Sequence, residues 1–269
     1  MTRLWSILII AAVLVGIPQP SQAKARATLT STVESYGADP LQVVTVTRNT
    51  EATTPGKTVI FLHGGGWTSG GRGSLEDEAA EWAKTGWVSI NVSYRLGTTD
   101  GSGALILADV LTVLNKYRAK PYVDPAQVIV YGESAGGHLA TWLGSKYGPL
   151  VAGIVAISPV SSISGAVAAG LAPAATSKQQ ALGAKASSFF GYSGTTDAHR
   201  YLARVQSAYV VVGTGEWVDP NVHGIPFCQA LGDRCTLVQV PEALHAGAII
   251  DAHPEIAMLD ARHWADTKI

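Results

Sequence analysis

The chain alternates short apolar runs with longer stretches in which apolar residues recur every three or four positions. Residues 28–36 and 41–48 interleave β-branched and polar side chains, which predicts an opening antiparallel strand pair. Residues 57–62 form a compact apolar strand that runs into Gly64-Gly65-Gly66. The spacing then predicts a helix over 75–85, a strand over 87–94 and an amphipathic helix over 105–118. A short buried strand at 127–131, a helix at 135–146 and a strand at 151–157 continue the alternation. Strands at 208–212 and 236–240, a helix around 221–231 and a final helix near 254–264 complete it. Parallel strands need crossovers that pack back on the sheet, so this order predicts an α/β fold: a mostly parallel sheet of about eight strands flanked by helices. In such a sheet, ligands gather at the carboxyl ends of the strands. The one long interruption, 161–206, is rich in Ala, Ser and Gly and carries Phe189, Phe190 and Tyr192. It reads either as a poorly ordered excursion or as a small lid whose aromatics line a substrate pocket, and the lid is preferred.

Composition narrows the picture to one domain. A chain of 269 residues, 47% hydrophobic and 14% charged, is long enough for one large core and short for two. Nineteen basic and twenty acidic residues are spread along it, so no basic face is available for nucleic acid or an anionic membrane, and a small or neutral substrate fits better.

The first 23 residues carry Arg3, an apolar run from Ile7 to Ile17, Pro18, Pro20 and the small-x-small site Ser21-Gln22-Ala23. That pattern predicts a cleaved export signal followed by a single mature domain over 24–269. The alternative, a membrane anchor, meets an apolar run well short of the roughly 20 residues that span a bilayer. Export, to the periplasm or outside the cell, allows Cys228 and Cys235 to form a disulfide, against the alternative of two buried thiols. No second Cys or His pair at ligand spacing lies nearby to suggest a metal.

Three constellations carry chemistry. Gly132-Glu133-Ser134-Ala135-Gly136 joins a predicted strand to a predicted helix, the context in which a sharp turn exposes a serine hydroxyl as nucleophile. His63-Gly64-Gly65-Gly66-Trp67 follows an earlier strand. The amides of Gly64 and Gly65, with that of Ala135 at the helix start, are candidate donors to an oxyanion. No phosphate-loop or dinucleotide fingerprint accompanies these glycines. His63 reads as a residue that orients its loop, and Trp67 as one that lines a pocket or packs. The third constellation is an acid followed by a histidine, in the order Ser, acid, His. His245 follows the strand at 236–240, with His253 and His263 as weaker candidates. The acid is Glu216 or Asp219, both just after the strand at 208–212. Glu216 is favoured because it directly follows the glycine turn, while Asp219 suits a helix cap near Pro220.

These segments resemble the hormone-sensitive-lipase-like esterases and the related bacterial carboxylesterases of the α/β-hydrolase superfamily. The resemblance runs from about residue 57 to 250 and rests on residues 63–67, Ser93-Tyr94-Arg95-Leu96 and residues 132–138. In that group the acid follows a G-x-x-D pattern, and Gly213 to Glu216 occupies the register with Glu in place of Asp. The resemblance implies a serine hydrolase that cleaves carboxylic esters, with no metal or organic cofactor. Residues 24–48 look short and strand-like where lipase-like members carry a helical cap. An open site follows, suited to acetyl or other short acyl groups on a larger carrier. The readings set against this one are an amidase or peptidase on the same scaffold and a catalytically silent binding protein.

Overall fold

In a computed structural model of the chain, residues 27–191, 195–242 and 244–269 are described. The expected export segment, 1–23, and Tyr192 lie outside the described residues. The strands are β1 (Leu29–Ser35), β2 (Val43–Asn49), β3 (Gly56–Leu62), β4 (Val88–Val92), β5 (Val123–Glu133), β6 (Gly153–Ile157), β7 (Ala208–Gly213) and β8 (Cys235–Val240). They form one sheet in the order β1-β2-β4-β3-β5-β6-β7-β8. β1, β2 and β4 pair antiparallel, and every later pairing is parallel.

Alternation of side chains across the central strands divides the core into two layers. Val59 and Phe61 of β3, Ile129 and Tyr131 of β5, and Val155 and Ile157 of β6 face one layer. Ile60 and Leu62, Val128 and Val130, and Ile154 and Ala156 face the other. Both faces of the parallel strands are therefore apolar, which is why these strands read as continuous hydrophobic runs. The helices are α1 (Glu76–Lys84), α2 (Gly103–Arg118), α3 (Ala135–Lys146), α4 (Ile163–Leu171), α5 (Ser177–Phe190), α6 (Gly224–Leu231), α7 (Gly247–Ala252) and α8 (Ala261–Lys268). Through Val110, Leu139 and Phe227, α2, α3 and α6 cover one face. Through Trp82, Ile249 and Trp264, α1, α7 and α8 cover the other.

Three expected elements differ. The final helix runs without a gap from Pro254 to Lys268, past the expected 264, but opens with a π-helical stretch, Glu255–Asp260, before α8, and a short helix that was not expected, α7, precedes it and ends before His253. His253 takes φ −134° and ψ 59° because a residue before proline is pushed out of the helical region. The helix expected from 221 starts at Gly224, since Asp219 to His223 form a turn closed by Val222 and His223 N–H groups on the Asp219 carbonyl. The excursion 161–206 is neither irregular nor a bare loop. It holds the hairpin α4–α5, followed by a 3-10 stretch, Ala198–Arg204. Close packing of α4 on α5 is possible because Gly170 and Gly183 meet with no room for a Cβ: one placed on either would lie 3.1 Å from the other's Cα. Asp197 ties the hairpin to the scaffold by accepting hydrogen bonds from the Ser164 N–H and hydroxyl and from the Ile163 N–H.

Cys228 in α6 and Cys235 at the start of β8 form a disulfide with Cα atoms 5.3 Å apart. By loop entropy alone, closing so short a segment contributes about 2.5 kcal/mol. Reduction is expected to lower the unfolding free energy by no more than that and to leave secondary structure intact in circular dichroism. Wholesale unfolding on reduction would contradict a local staple.

Candidate active site

The turn at Ser134 is built from what its neighbours lack. A Cβ on Gly132 would sit 2.2 Å from the Gly136 carbonyl oxygen, and one on Gly136 would sit 2.0 Å from the Leu62 carbonyl oxygen. Only glycines let β5 fold back into α3 this tightly against the end of β3. Ser134 itself is held at φ 51° and ψ −114°, a left-handed conformation costly for a non-glycine residue. Its N–H bonds the Ile157 carbonyl at 2.9 Å, which helps hold the turn against β6.

Two further strand ends bring the other groups in. Glu216 follows β7, and its Oε1 accepts the Gly213 N–H at 3.1 Å. His245 follows β8, and the next residue, Ala246 at φ 46°, is held by donating its N–H to Ser158 Oγ at 2.9 Å. The two loops nest because Gly213 has no side chain: a Cβ there would meet the Leu244 carbonyl oxygen at 2.3 Å. The result is a hydrogen-bonded chain. His245 Nδ1 lies 2.5 Å from Glu216 Oε2, and His245 Nε2 lies 2.9 Å from Ser134 Oγ. An ionised carboxylate only accepts, so Nδ1 carries the proton and Nε2 is free to accept from the serine hydroxyl. Asp219 is not in this chain; its Oδ1 accepts from the Asn221 backbone and side-chain amides.

The glycine loop lies beside Ser134. A Cβ on Gly64 would be 3.4 Å from Ser134 Cβ. Gly65, at φ 101°, accepts at its carbonyl from the Thr68 and Ser69 N–H groups, and a Cβ there would strike the Ser69 carbonyl oxygen at 2.2 Å. The segment after β4 supports this loop: the Tyr94 hydroxyl donates to the His63 carbonyl at 2.7 Å, and the Tyr94 ring stacks on His63 at 4.2 Å. Arg95 in turn donates to the buried carboxylate of Asp109 through Nε, Nη2 and its backbone N–H. His63 Nδ1 is 2.7 Å from the Gly64 carbonyl, and burial lowers its pKa to about 4, so it is neutral and holds the loop.

Several expected roles change. The Gly64 N–H is turned to Glu133 Oε1 at 3.4 Å, so it is not a free oxyanion donor. The amides of Gly65 and Ala135 have no such partner among the described residues. Trp67, Phe189 and Phe190 do not line an open pocket. Trp67 is fully buried, Phe190 packs edge-on against Trp67 and His138, and Phe189 fills the space left by Gly97. These aromatics anchor α5 to the core. The aromatic at the site is instead the half-buried Trp217, whose ring centre lies 4.8 Å from that of His245. Its one signal in the sequence is adjacency to Glu216. A cleft of about 720 Å³ lined by Lys57, Trp87 and Asp266 lies at the amino ends of β3 and β4, the opposite end of the sheet from Ser134.

Comparison with known proteins adds the wider frame. The BD-FAE family model matches residues 44–151. No curated protein matches the chain. Among solved structures, esterase 2 of Thermogutta terrifontis phosphonylated by sarin superposes with a TM-score of 0.71 at 20% identity, covering 88% of this chain and 93% of that one. A bacterial heroin esterase gives 0.70 at 20% identity over 89% and 83% of the two chains. Esterase B of Lactobacillus rhamnosis gives 0.65 at 18% identity over 89% and 80%. The chain has the α/β-hydrolase fold. In the α/β-hydrolase fold of this chain, the serine, acid and histidine stand at the carboxyl ends of β5, β7 and β8.

Glu133 was visible only as the variable position of the serine motif. It is half-buried, with its Oε2 shielded from solvent and unpaired, and desolvation raises its pKa from 4.5 to about 7 against the opposing Gly64 hydrogen bond, with the nearby charges of Glu78 and Asp251 adding to the rise. A carboxyl that stays protonated in the fold while the unfolded chain ionises subtracts stability as pH rises from about 4.5 through about 7, by about 3 kcal/mol at full extent. Glu133→Gln keeps an acceptor for Gly64 and removes the charge. Its unfolding free energy relative to the parent is expected to grow between about pH 5 and about pH 8 in denaturant titrations, and a flat difference would contradict the assignment.

Proposed function

We propose that the protein is an exported serine esterase that cleaves carboxylic esters, with acetyl and other short acyl groups favoured, through an acyl-enzyme on Ser134. The observation that carries this reading is the continuous chain from Ser134 Oγ through His245 to Glu216. His245 Nε2 takes the hydroxyl proton as Ser134 attacks the ester carbonyl, and returns it to the departing alcohol. Glu216 holds the imidazole in the required tautomer and stabilises its cation. The Gly65 and Ala135 amides stabilise the charge that develops on the carbonyl oxygen, each donor contributing about 3 to 4 kcal/mol by analogy with serine proteases. Water then repeats the attack on the acyl group. One feature supports short acyl groups on a larger carrier: Gly65, a candidate oxyanion donor, is exposed.

Chromogenic esters from acetyl to long acyl are expected to be hydrolysed, with the optimum at short chains. Ser134→Ala should lower kcat by about 10⁴ to 10⁶, and Glu216→Ala by about 10³ to 10⁴. Asp219→Ala should stay within about threefold of the parent, because Asp219 serves a turn. Inactivity of the parent on the whole series would favour a silent hydrolase fold.

Residues 1–23 are part of the same reading, as a cleaved signal. Amino-terminal sequencing of the protein recovered after export should begin at Lys24, and an intact amino terminus on the recovered protein would contradict it.

A further inference from the structure

The helix α5 carries Lys178 and Lys185, whose spacing of two turns returns both to one face. That face meets the site on two sides. The Lys185 ammonium donates to Thr68 Oγ1 at 2.9 Å and lies 3.3 Å from where a Cβ on Gly66 would stand, so it rests on the loop that presents Gly65. The Lys178 ammonium is 5.8 Å from the centre of the Trp217 ring, and that ring flanks His245. One cation therefore touches the oxyanion loop, and the other touches the aromatic beside the general base.

Neither ammonium is paired with a carboxylate among the described residues, and α5 itself has no acidic residue. Glu216, Asp219 and Asp100 bond other groups: His245, the Asn221 amide and the Ser188 hydroxyl. Lys178 is exposed and Lys185 half-buried, so the attraction available is modest for each but shared by two cations. The side of the site on which an anion would lie follows from the proton's path. The departing alcohol takes its proton from His245, and the ring beside His245 is that of Trp217, with the Lys178 ammonium 5.8 Å from its centre. The half-buried indole offers a flat apolar surface to a ring.

We propose that α5 selects esters whose alcohol portion is a ring bearing a carboxylate, with Lys178 and Lys185 as the specificity-determining cations and Trp217 as the surface under the ring. The proposal rests on the esterase reading for the bond cleaved, and goes beyond it in naming the alcohol. The ring could belong to an acidic sugar or to an aromatic hydroxy acid.

A binding measurement tests the charge preference without turnover. Using Ser134→Ala protein in calorimetry, 3-hydroxybenzoate is compared with 3-hydroxybenzyl alcohol, and methyl glucuronoside with methyl glucoside. In at least one pair the acid should bind about fivefold more tightly at about 0.02 M ionic strength, the advantage shrinking at about 0.5 M. It should also shrink in Lys178→Met and Lys185→Met, and the pair that shows it identifies the ring. Equal binding within both pairs, or a preference that both substitutions leave unchanged, would overturn the proposal.

Turnover is then read on active protein as the ratio of kcat/KM for 3-carboxyphenyl acetate to that for phenyl acetate, each corrected for its hydroxide rate. A general loss of activity cancels in this ratio, which should fall in both lysine variants. Ser134-dependent hydrolysis with a ratio indifferent to the lysines would sink the proposal and leave the esterase reading standing. Charge-selective binding without hydrolysis of either ester would support the anion preference and count against the esterase reading alone.

Discussion

The serine turn depends on a close approach of three backbone segments. Gly132 and Gly136 let the end of β5, the start of α3 and the end of β3 come together without side chains between them, at separations a methyl group would forbid. That approach places the Leu62–His63 backbone, and so the glycine loop, beside Ser134. It also accounts for the strained conformation of Ser134, which the surrounding ladder over-determines by fixing its N–H on the neighbouring strand. Gly213 has the same role one layer over, where the acid loop and the histidine loop nest. The chemistry of the site is therefore set by backbone packing first and by the reactive side chains second.

Electrostatics then sorts the titratable groups by what the fold asks of them. Burial makes His63 neutral and leaves it bonding its own loop, while His138 is held neutral beneath the site, its Nε2 on the Thr196 carbonyl. Glu133, next to Ser134 in sequence, has its Oε1 toward the Gly64 amide. Glu216 and His245 alone pair with each other and with the serine. His63, His138 and Glu133 are thus bonded outside the chain that joins Ser134, His245 and Glu216.

Much of this was legible in the sequence because the relevant signals are local. Two-sided burial of the central strands shows as continuous apolar runs, and the helix after the serine begins and ends where periodicity places it, at Ala135 and Lys146. The preference for Glu216 over Asp219 followed from its place at the end of the glycine turn, and the geometry brings Glu216 to His245 while leaving Asp219 in a turn. What escaped was non-local. The α4–α5 hairpin is Ala- and Gly-rich, so its helical faces show little contrast, and its register is set by glycine-on-glycine contact that no window of sequence reveals. Aromatics near a site look alike in sequence: Phe189, Phe190 and Trp67 are buried anchors, and Trp217 is the ring beside the histidine. The break at His253 was written in Pro254, but the apolar pattern beyond it masked the short helix α7.

Ser134 is either an activated nucleophile or a serine in a tight turn, and its reactivity decides between them. Labelling of the folded protein with a fluorophosphonate probe, followed by mass mapping of the modified peptide, tests it without assuming a substrate. A single adduct on Ser134, formed rapidly in the parent and lost in His245→Gln, is expected of an activated serine. Absence of labelling, or labelling of Ser134 at an undiminished rate without His245, would contradict it.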